Sequence, residues 1–241
     1  MWHLLSFLVG ICVGSFLNVL IYRSTQEGLR VWSPPFSFCP NCKSKIAWYD
    51  NVPILSYLIL KGRCRSCGWR IPLRYPIVEL LGGVSFLLNF TVFKDDLFSF
   101  VLACLLSSSL IALSFVDLET MLIPDFLNFT VLGCSLVLAI KEDFLEHLIS
   151  FGVIAGIFLV LKLVYREGLG SGDVILAMGV GLLLTPFSGI LAVLTAAVSG
   201  ILFAMITNRK NLGLKLRIPF GPFLALGGYL FFLLERGTGW F

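Results

Sequence analysis

The chain has 241 residues, of which 58% are hydrophobic and only 13% are charged, and its mean hydropathy is +0.95. Soluble globular domains carry about 25% charged residues, so this composition excludes an ordinary soluble enzyme or binding domain. It predicts an integral membrane protein that is surrounded by the lipid bilayer, and we expect no nucleic-acid partner.

Eight apolar stretches are long enough, or nearly long enough, to cross a bilayer, which requires ~20 helical residues. The sixth stretch is short, so a helix that crosses the bilayer there must include residues on either side of it. A cleavable signal peptide is the alternative for the first, but it lacks a basic start and an Ala-x-Ala site, so we interpret it as a retained helix. The stretches are residues 4–22, 77–93, 97–116, 123–140, 147–165, 174–184, 190–207 and 218–234.

The lysines and arginines predict how this bundle is oriented. Nine of the 18 lie between residues 23 and 74, and six more lie near the end of the fifth stretch or after the fifth and seventh stretches, which puts 15 on one side. The other side receives Lys94, Lys141 and Arg236. By the positive-inside rule the richer side is cytoplasmic, so both termini are predicted outside.

Residues 24–75, between the first two stretches, are polar enough to form a compact domain outside the bilayer. They hold two Cys-x-x-Cys pairs, Cys39 with Cys42 and Cys64 with Cys67, separated by 21 residues. Four thiolates in a tetrahedron suit Zn²⁺ and leave no open position for water, so we predict a structural zinc ion. Because a domain of about 50 residues has a small core, the ion would stabilise its fold directly.

The cysteines have other interpretations. Disulfides are disfavoured on the cytoplasmic side, whereas a thioredoxin-like redox pair or free thiols stay open beside zinc. The remaining cysteines lie in apolar stretches, where a thiol is ordinarily a small hydrophobic group. They are Cys12, Cys104 and Cys134.

Two aspartates stand at the ends of long apolar runs, where a charge is costly unless it has a function. Asp117 ends the third run, and Asp173 precedes the sixth, after glycines at 168, 170 and 172. Two stretches separate them, so the chain returns to the same face, and both acids are expected at the cytoplasmic edge. A solvated interfacial charge is the alternative for Asp117. Asp125, which follows Pro124, is interpreted as a helix-start residue.

If these carboxylates approach within a few ångströms, repulsion keeps one protonated, so one can activate water while the other polarises a scissile carbonyl. That is the arrangement of an aspartyl protease. No Ser/His/Asp set competes, because the two histidines, His3 and His147, are predicted on the outer side. Two polar residues inside stretches stay ambiguous: Glu79 is either functional or extended towards the basic domain, and Asn18 suits an interhelical hydrogen bond.

Several motifs in a fixed order resemble those of bacterial prepilin peptidases, the type 4 prepilin leader peptidase/N-methyltransferase family of Gly-x-Gly-Asp membrane aspartyl proteases. The resemblance covers nearly the whole chain. One position departs from the pattern: Ile175 stands where members of the family often have lysine. A charge contact made by that lysine is therefore not expected in this chain. The motifs are residues 14–23, 50–57 enclosed by the two Cys-x-x-Cys pairs, 74–79, 117–125, 170–173 and 218–223.

The resemblance implies that Asp117 and Asp173 are the catalytic pair. It implies cleavage after a glycine in the short basic leaders of type IV prepilins and type II secretion pseudopilins, at the cytoplasmic face of the bacterial inner membrane. It also implies methylation of the new N-terminus with S-adenosylmethionine. The sequence identifies neither the binding residues for that donor nor the oligomeric state.

The predicted fold is an all-α polytopic membrane protein with about eight transmembrane helices and a small cytoplasmic zinc-binding domain inserted after the first helix. Its predicted divisions are the first transmembrane helix (1–23), the four-cysteine zinc-binding domain (24–75) and a seven-helix membrane aspartyl peptidase domain (76–241).

Two other functions stay open. One is a transporter or channel in which Asp117 and Asp173 relay protons or cations, although a transporter is expected to hold its acids near mid-membrane. The other is a thiol oxidoreductase, which would need reactive cysteines without a metal.

Overall fold

The computed structural model describes residues 1–26, 28, 32–165, 169–207 and 218–238. Packing groups the chain into an N-terminal unit, Met1–Thr91, and a C-terminal unit, Val92–Phe241, which are described separately below. The domain limits predicted at 23/24 and 75/76 stay a prediction.

The described residues form helices, with isolated β-bridges between Phe38 and Lys45 and between Arg63 and Arg70, so the all-α class is confirmed. A short 3₁₀ helix covers Trp48–Asn51. The α-helices are α1 (Trp2–Ser24), α2 (Leu55–Ile59), α3 (Arg74–Phe93), α4 (Leu97–Thr120), α5 (Asp125–Lys141), α6 (Phe144–Val164), α7 (Ser171–Leu183), α8 (Pro186–Thr207) and α9 (Gly221–Thr238).

Every predicted apolar stretch contains a helix, but in the described residues five helices are long and apolar enough to cross a bilayer: α1, α3, α4, α6 and α8. The other three have 17, 13 and 18 residues, for α5, α7 and α9. At 1.5 Å per residue α7 is only about 20 Å long, less than the ~30 Å hydrocarbon core. A multi-pass protein is therefore supported, while the predicted count of eight spans is not confirmed.

In the N-terminal unit, α1 and α3 pack with their backbones in contact. A Cβ added at Gly10 would overlap the carbonyl oxygen of Gly82, and one at Gly14 would lie 2.6 Å from Cα of Glu79. Small residues at such crossings let membrane helices approach closely. The Ser6 hydroxyl donates to the carbonyl of Phe86 at 2.8 Å, which adds a polar contact to the same interface.

In the C-terminal unit, α7 is the central helix. It packs against α5, α6, α8 and α9, and α4 packs against α5 and α9. Eight of the 13 residues of α7 are buried. Protein therefore surrounds this helix on most sides.

Ion pairs join the helix ends at one end of this unit, where α5 leads into α6 and α9 finishes. Glu142 accepts hydrogen bonds from Arg236 at 2.9 Å and lies 3.1 Å from Nε2 of His147. Lys141 pairs with Asp96, whose side chain also caps α4 by accepting from the backbone N–H of Ser99. The Lys141 ammonium holds the pKa of Asp96 well below its usual range.

Candidate active site and metal centre

Asp117 lies in the last turn of α4, and 4% of its surface is exposed. Its Oδ2 accepts a 2.9 Å hydrogen bond from the backbone N–H of Gly221, the first residue of α9. A helix N-terminus presents unpaired N–H groups and a partial positive charge, both of which stabilise a carboxylate. A Cβ at position 221 would lie 2.8 Å from this oxygen, so any larger residue there would displace the carboxylate or the helix start.

Asp173 is the third residue of α7, and its carboxylate accepts a hydrogen bond from the backbone N–H of Gly170, the N-cap residue. This contact is one half of a capping box and fixes the side chain at the start of the helix. The other oxygen, Oδ1, is buried and has no hydrogen-bond partner among the described residues. Leaving a buried carboxylate oxygen unpaired is costly, so this atom is suited to bind water or substrate.

Ile123 and Asn128 connect the segments that carry the two aspartates. Ile123, in the loop between α4 and α5, lies 3.1 Å from a Cβ built at Gly221 and 3.0 Å from one built at Gly172. The side-chain amide of Asn128 on α5 donates to the carbonyl of Gly172 at 3.1 Å.

The structure therefore brings the two predicted aspartates to the same end of the C-terminal unit, at the ends of their helices. Asp117 is close enough to Asp173 for a direct charge–charge interaction. Two neighbouring carboxylates in a protected site can hold one proton between them, which gives one acid and one base. Asp125, by contrast, is exposed at the first residue of α5.

Gly221 and Asn128 are two residues of this site that the sequence did not predict. Gly221 belongs to one of the quoted motifs, and Pro222 after it is a helix-start signal. Neither signal predicts which carboxylate the start of α9 contacts. Asn128 carried a signal of another kind, an amide within an apolar stretch, which ordinarily needs a hydrogen-bond partner. The structure buries this residue completely.

The four predicted cysteine ligands come together in the N-terminal unit as a four-cysteine cluster, formed by Cys39, Cys42, Cys64 and Cys67. Their sulfur atoms all lie within 4.8 Å of one another, and those of Cys39 and Cys67 are 3.9 Å apart. Tetrahedral Zn²⁺ with bonds of about 2.3 Å needs sulfurs about 3.8 Å apart. The four-cysteine cluster therefore fits a tetrahedral metal ion.

Two similar turns build the four-cysteine cluster. In the first, the N–H of Cys39 donates to the carbonyl of Ser44; in the second, the N–H of Cys64 donates to that of Trp69. Each turn has a residue with positive φ directly after its second cysteine, Lys43 at 58° and Gly68 at 70°. The equivalence of the turns explains how both pairs present their sulfurs to one point.

The thiols of the four-cysteine cluster differ in acidity. A hydrogen bond from the Ser44 hydroxyl, 2.9 Å from Sγ, lowers the pKa of Cys42 to about 6. Burial raises the pKa of Cys39 to about 11. Metal ions bind the thiolate, so Cys42 is ready to coordinate at neutral pH, whereas Cys39 must lose its proton on binding.

The two ambiguous polar residues also have defined places in the N-terminal unit. The carboxylate of Glu79 accepts a 2.7 Å hydrogen bond from the backbone N–H of Ile54. It therefore contacts the polar domain through the backbone rather than through a basic side chain. Asn18 on α1 donates to the carbonyl of Tyr75 on α3 at 3.0 Å, which is the interhelical hydrogen bond expected for it.

Comparison with known proteins gives two matches to family models. Residues 8–93 match the bacterial peptidase A24 N-terminal domain, and residues 104–205 match the type IV leader peptidase family. No solved structure matches the chain significantly.

Curated proteins match along most of the chain. The type 4 prepilin-like proteins leader peptide-processing enzyme of Escherichia coli O78:H11 (strain H10407 / ETEC) is 35% identical, covering 91% of this chain and 89% of its own length. The prepilin leader peptidase/N-methyltransferase of Dickeya chrysanthemi is 32% identical, covering 99% and 95%. That of Myxococcus xanthus (strain DK1622) is 38% identical, covering 85% of this chain and 64% of its own length.

Proposed function

Because the chain belongs to the type IV leader peptidase family, we propose that it cleaves the leader peptides of type IV prepilins with Asp117 and Asp173 as its catalytic pair. The observation that carries this assignment is the convergence of both carboxylates at one end of the C-terminal unit, with Oδ1 of Asp173 unpartnered among the described residues. Two acids at the ends of helices, at the same end of the unit, suit a peptide bond presented at the membrane surface.

In the proposed reaction, the ionised carboxylate takes a proton from water as the water oxygen attacks the scissile carbonyl carbon. The protonated carboxyl group donates to the carbonyl oxygen, which forms a neutral tetrahedral intermediate. Collapse of this intermediate breaks the C–N bond, and a proton passes to the leaving amine. The Gly221 N–H holds one oxygen of Asp117 throughout and leaves its other oxygen for the chemistry.

Three further assignments belong to the proposal. The substrates include type II secretion pseudopilins, and cleavage occurs at the cytoplasmic face of the bacterial inner membrane. The four-cysteine cluster holds a structural zinc ion, because four sulfurs close the coordination shell. The new N-terminus is then methylated from S-adenosylmethionine, in keeping with the N-methyltransferase names of the relatives.

The test is to incubate the purified protein with a prepilin-like precursor and measure the product mass, which reports cleavage and methylation together. Asp117→Asn and Asp173→Asn should each abolish turnover, because an amide cannot accept the proton that water must lose. The double variant should lose little more, since the pair acts as one unit.

Asp125→Asn is the matched control and should retain cleavage. Loss of a negative charge at the helix start should lower the free energy of unfolding by only ~0.3–1 kcal/mol. If Asp117→Asn or Asp173→Asn is folded and still cleaves near the wild-type rate, the catalytic assignment is wrong.

A further inference from the structure

A cavity of about 340 Å³ lies inside the N-terminal unit, between α1, the first turns of α3 and residues 37–71. Small-molecule sites commonly have volumes of ~300–1,000 Å³. Cys39 and Cys64 of the four-cysteine cluster line one part of the cavity. The proposed peptidase pair lies in the C-terminal unit, so neither proteolysis nor the proposed metal ion accounts for the part of the cavity next to Asn18 and Glu79.

Two buried polar side chains of the membrane helices face the cavity, Glu79 of α3 and Asn18 of α1. Glu79 is 7% exposed, and its Oε2 is held by the N–H of Ile54. Asn18 is 2% exposed, and although its amide nitrogen is bonded to Tyr75, its Oδ1 has no hydrogen-bond partner among the described residues. A buried, unpaired acceptor in a cavity wall favours a ligand that donates hydrogen bonds.

The wall also carries a buried cation and several aromatic rings. Arg23 is 4% exposed and is fixed by the carbonyls of Pro34 and Phe36, at 2.7 and 3.1 Å. Tyr57 is held by its hydroxyl, which donates to the carbonyl of Ile71, and Trp69 lies on the same wall. Aromatic faces stack on flat heterocycles and attract cations.

We propose that this cavity binds S-adenosylmethionine, with Glu79 and the aromatic rings facing its cationic part. The proposal rests on the methyltransferase activity put forward above. The ligand has two positive groups, a carboxylate, hydroxyl and amine donors and a flat adenine. The cavity supplies a buried acid, a buried arginine, a free acceptor at Asn18 and aromatic faces. Each kind of group in the ligand therefore has a complementary group in the wall of the cavity.

The test is titration calorimetry on the purified full chain with two probes, S-adenosylmethionine and S-adenosylhomocysteine, which lacks the methyl group and the sulfonium charge. Glu79→Gln keeps an acceptor for the Ile54 N–H but removes the charge. It should weaken S-adenosylmethionine binding by about tenfold or more, with a smaller loss for S-adenosylhomocysteine.

Val19→Phe is the second variant, because Val19 lines the cavity and a larger side chain would fill it. It should abolish binding of both probes. Leu20→Phe enlarges the next residue of α1, which does not line the cavity, and Asp95→Asn removes an acid two residues after the end of α3; both should bind like the wild type. Melting midpoint and metal content establish that each variant is folded.

The outcomes separate this site from the proposed function. If the wild type binds S-adenosylmethionine and both Glu79→Gln and Val19→Phe keep its affinity, the site is elsewhere and methylation stands. A wild-type protein that cleaves a precursor but binds no S-adenosylmethionine overturns both this site and the methylation, and leaves the peptidase assignment intact.

Discussion

The contact between Asp117 and Gly221 depends on the absence of one carbon atom. With no Cβ, the start of α9 places its N–H 2.9 Å from the carboxylate, although Asp117 sits at the C-terminal end of its own helix, where the helix dipole disfavours negative charge. The N-terminus of α9 offsets that unfavourable position. The geometry of the acid is therefore set by a residue 104 positions away in the sequence.

Gly221→Ala should reduce cleavage by on the order of 10²-fold, because the new methyl group would push Asp117 or the helix start aside by a fraction of an ångström to an ångström. The rate of precursor cleavage by the folded variant measures this. Gly133→Ala on α5 is the control, since a Cβ there meets nothing within 4 Å. It should keep activity and add ~0.5–1 kcal/mol of stability. Equal activity of the two variants would contradict the role given to Gly221.

The elements differ in what stabilises them. The helices pack through glycines and apolar side chains, whereas the two cysteine turns are linked to each other by the four-cysteine cluster. A metal ion there would contribute to folding directly, because the ligands are brought together only in the folded state.

Replacing Cys39 or Cys64 with serine should therefore lower bound zinc from about one ion per chain and destabilise the polar domain, since three thiolates leave the shell open. Metal analysis and thermal unfolding of the purified variants measure both effects. Cys12→Ser, on α1 and outside the four-cysteine cluster, should change neither. Active wild-type protein that contains no zinc would refute the metal assignment.

The ion cluster around Glu142 predicts a pH dependence of stability. Burial on its own would raise the pKa of Glu142, but His147 and Arg236 outweigh it and lower that pKa below its usual value near 4.5. A lowered pKa in the folded state means that the stabilisation is present above the unfolded pKa and is lost as the pH falls through the folded one.

Thermal unfolding in detergent should therefore show a midpoint that drops as the pH goes below about 4.5. Glu142→Gln should lower the midpoint at neutral pH and flatten its dependence below that value. The Asp96–Lys141 pair titrates in the same direction, so Asp96→Asn serves as the comparison variant. An unchanged slope in Glu142→Gln would show that this carboxylate is not a source of the effect.

For the whole molecule, the charge distribution predicts the topology. Fifteen of 18 basic residues lie on one side of the predicted membrane, so the cysteine-rich domain is expected in the cytoplasm. Trp48→Cys, at an exposed position of that domain, should resist a membrane-impermeant thiol reagent in intact cells. Glu146→Cys, at the start of α6, should react. The reverse pattern would invert the orientation and place the proposed catalysis outside.

The sequence by itself determined the membrane class, the places of the helices, the members of the four-cysteine cluster and the two candidate aspartates. Each is carried by a local signal: hydropathy over a run of residues, a fixed cysteine spacing, or a charge at the end of an apolar segment. The chain order also sufficed to predict Asp117 and Asp173 at the same end of the C-terminal unit, because two helices separate them.

Only the tertiary structure decided the length of each helix and what each acid touches. The length of α7 depends on the helices that surround it, which a hydropathy pattern does not record. The contacts of Asp117 with Gly221, of Asn128 with Gly172 and of Glu79 with Ile54 join residues 25 to 104 positions apart. Such contacts depend on how whole helices pack, because packing determines which hydrogen-bond partners lie within reach of a buried polar group.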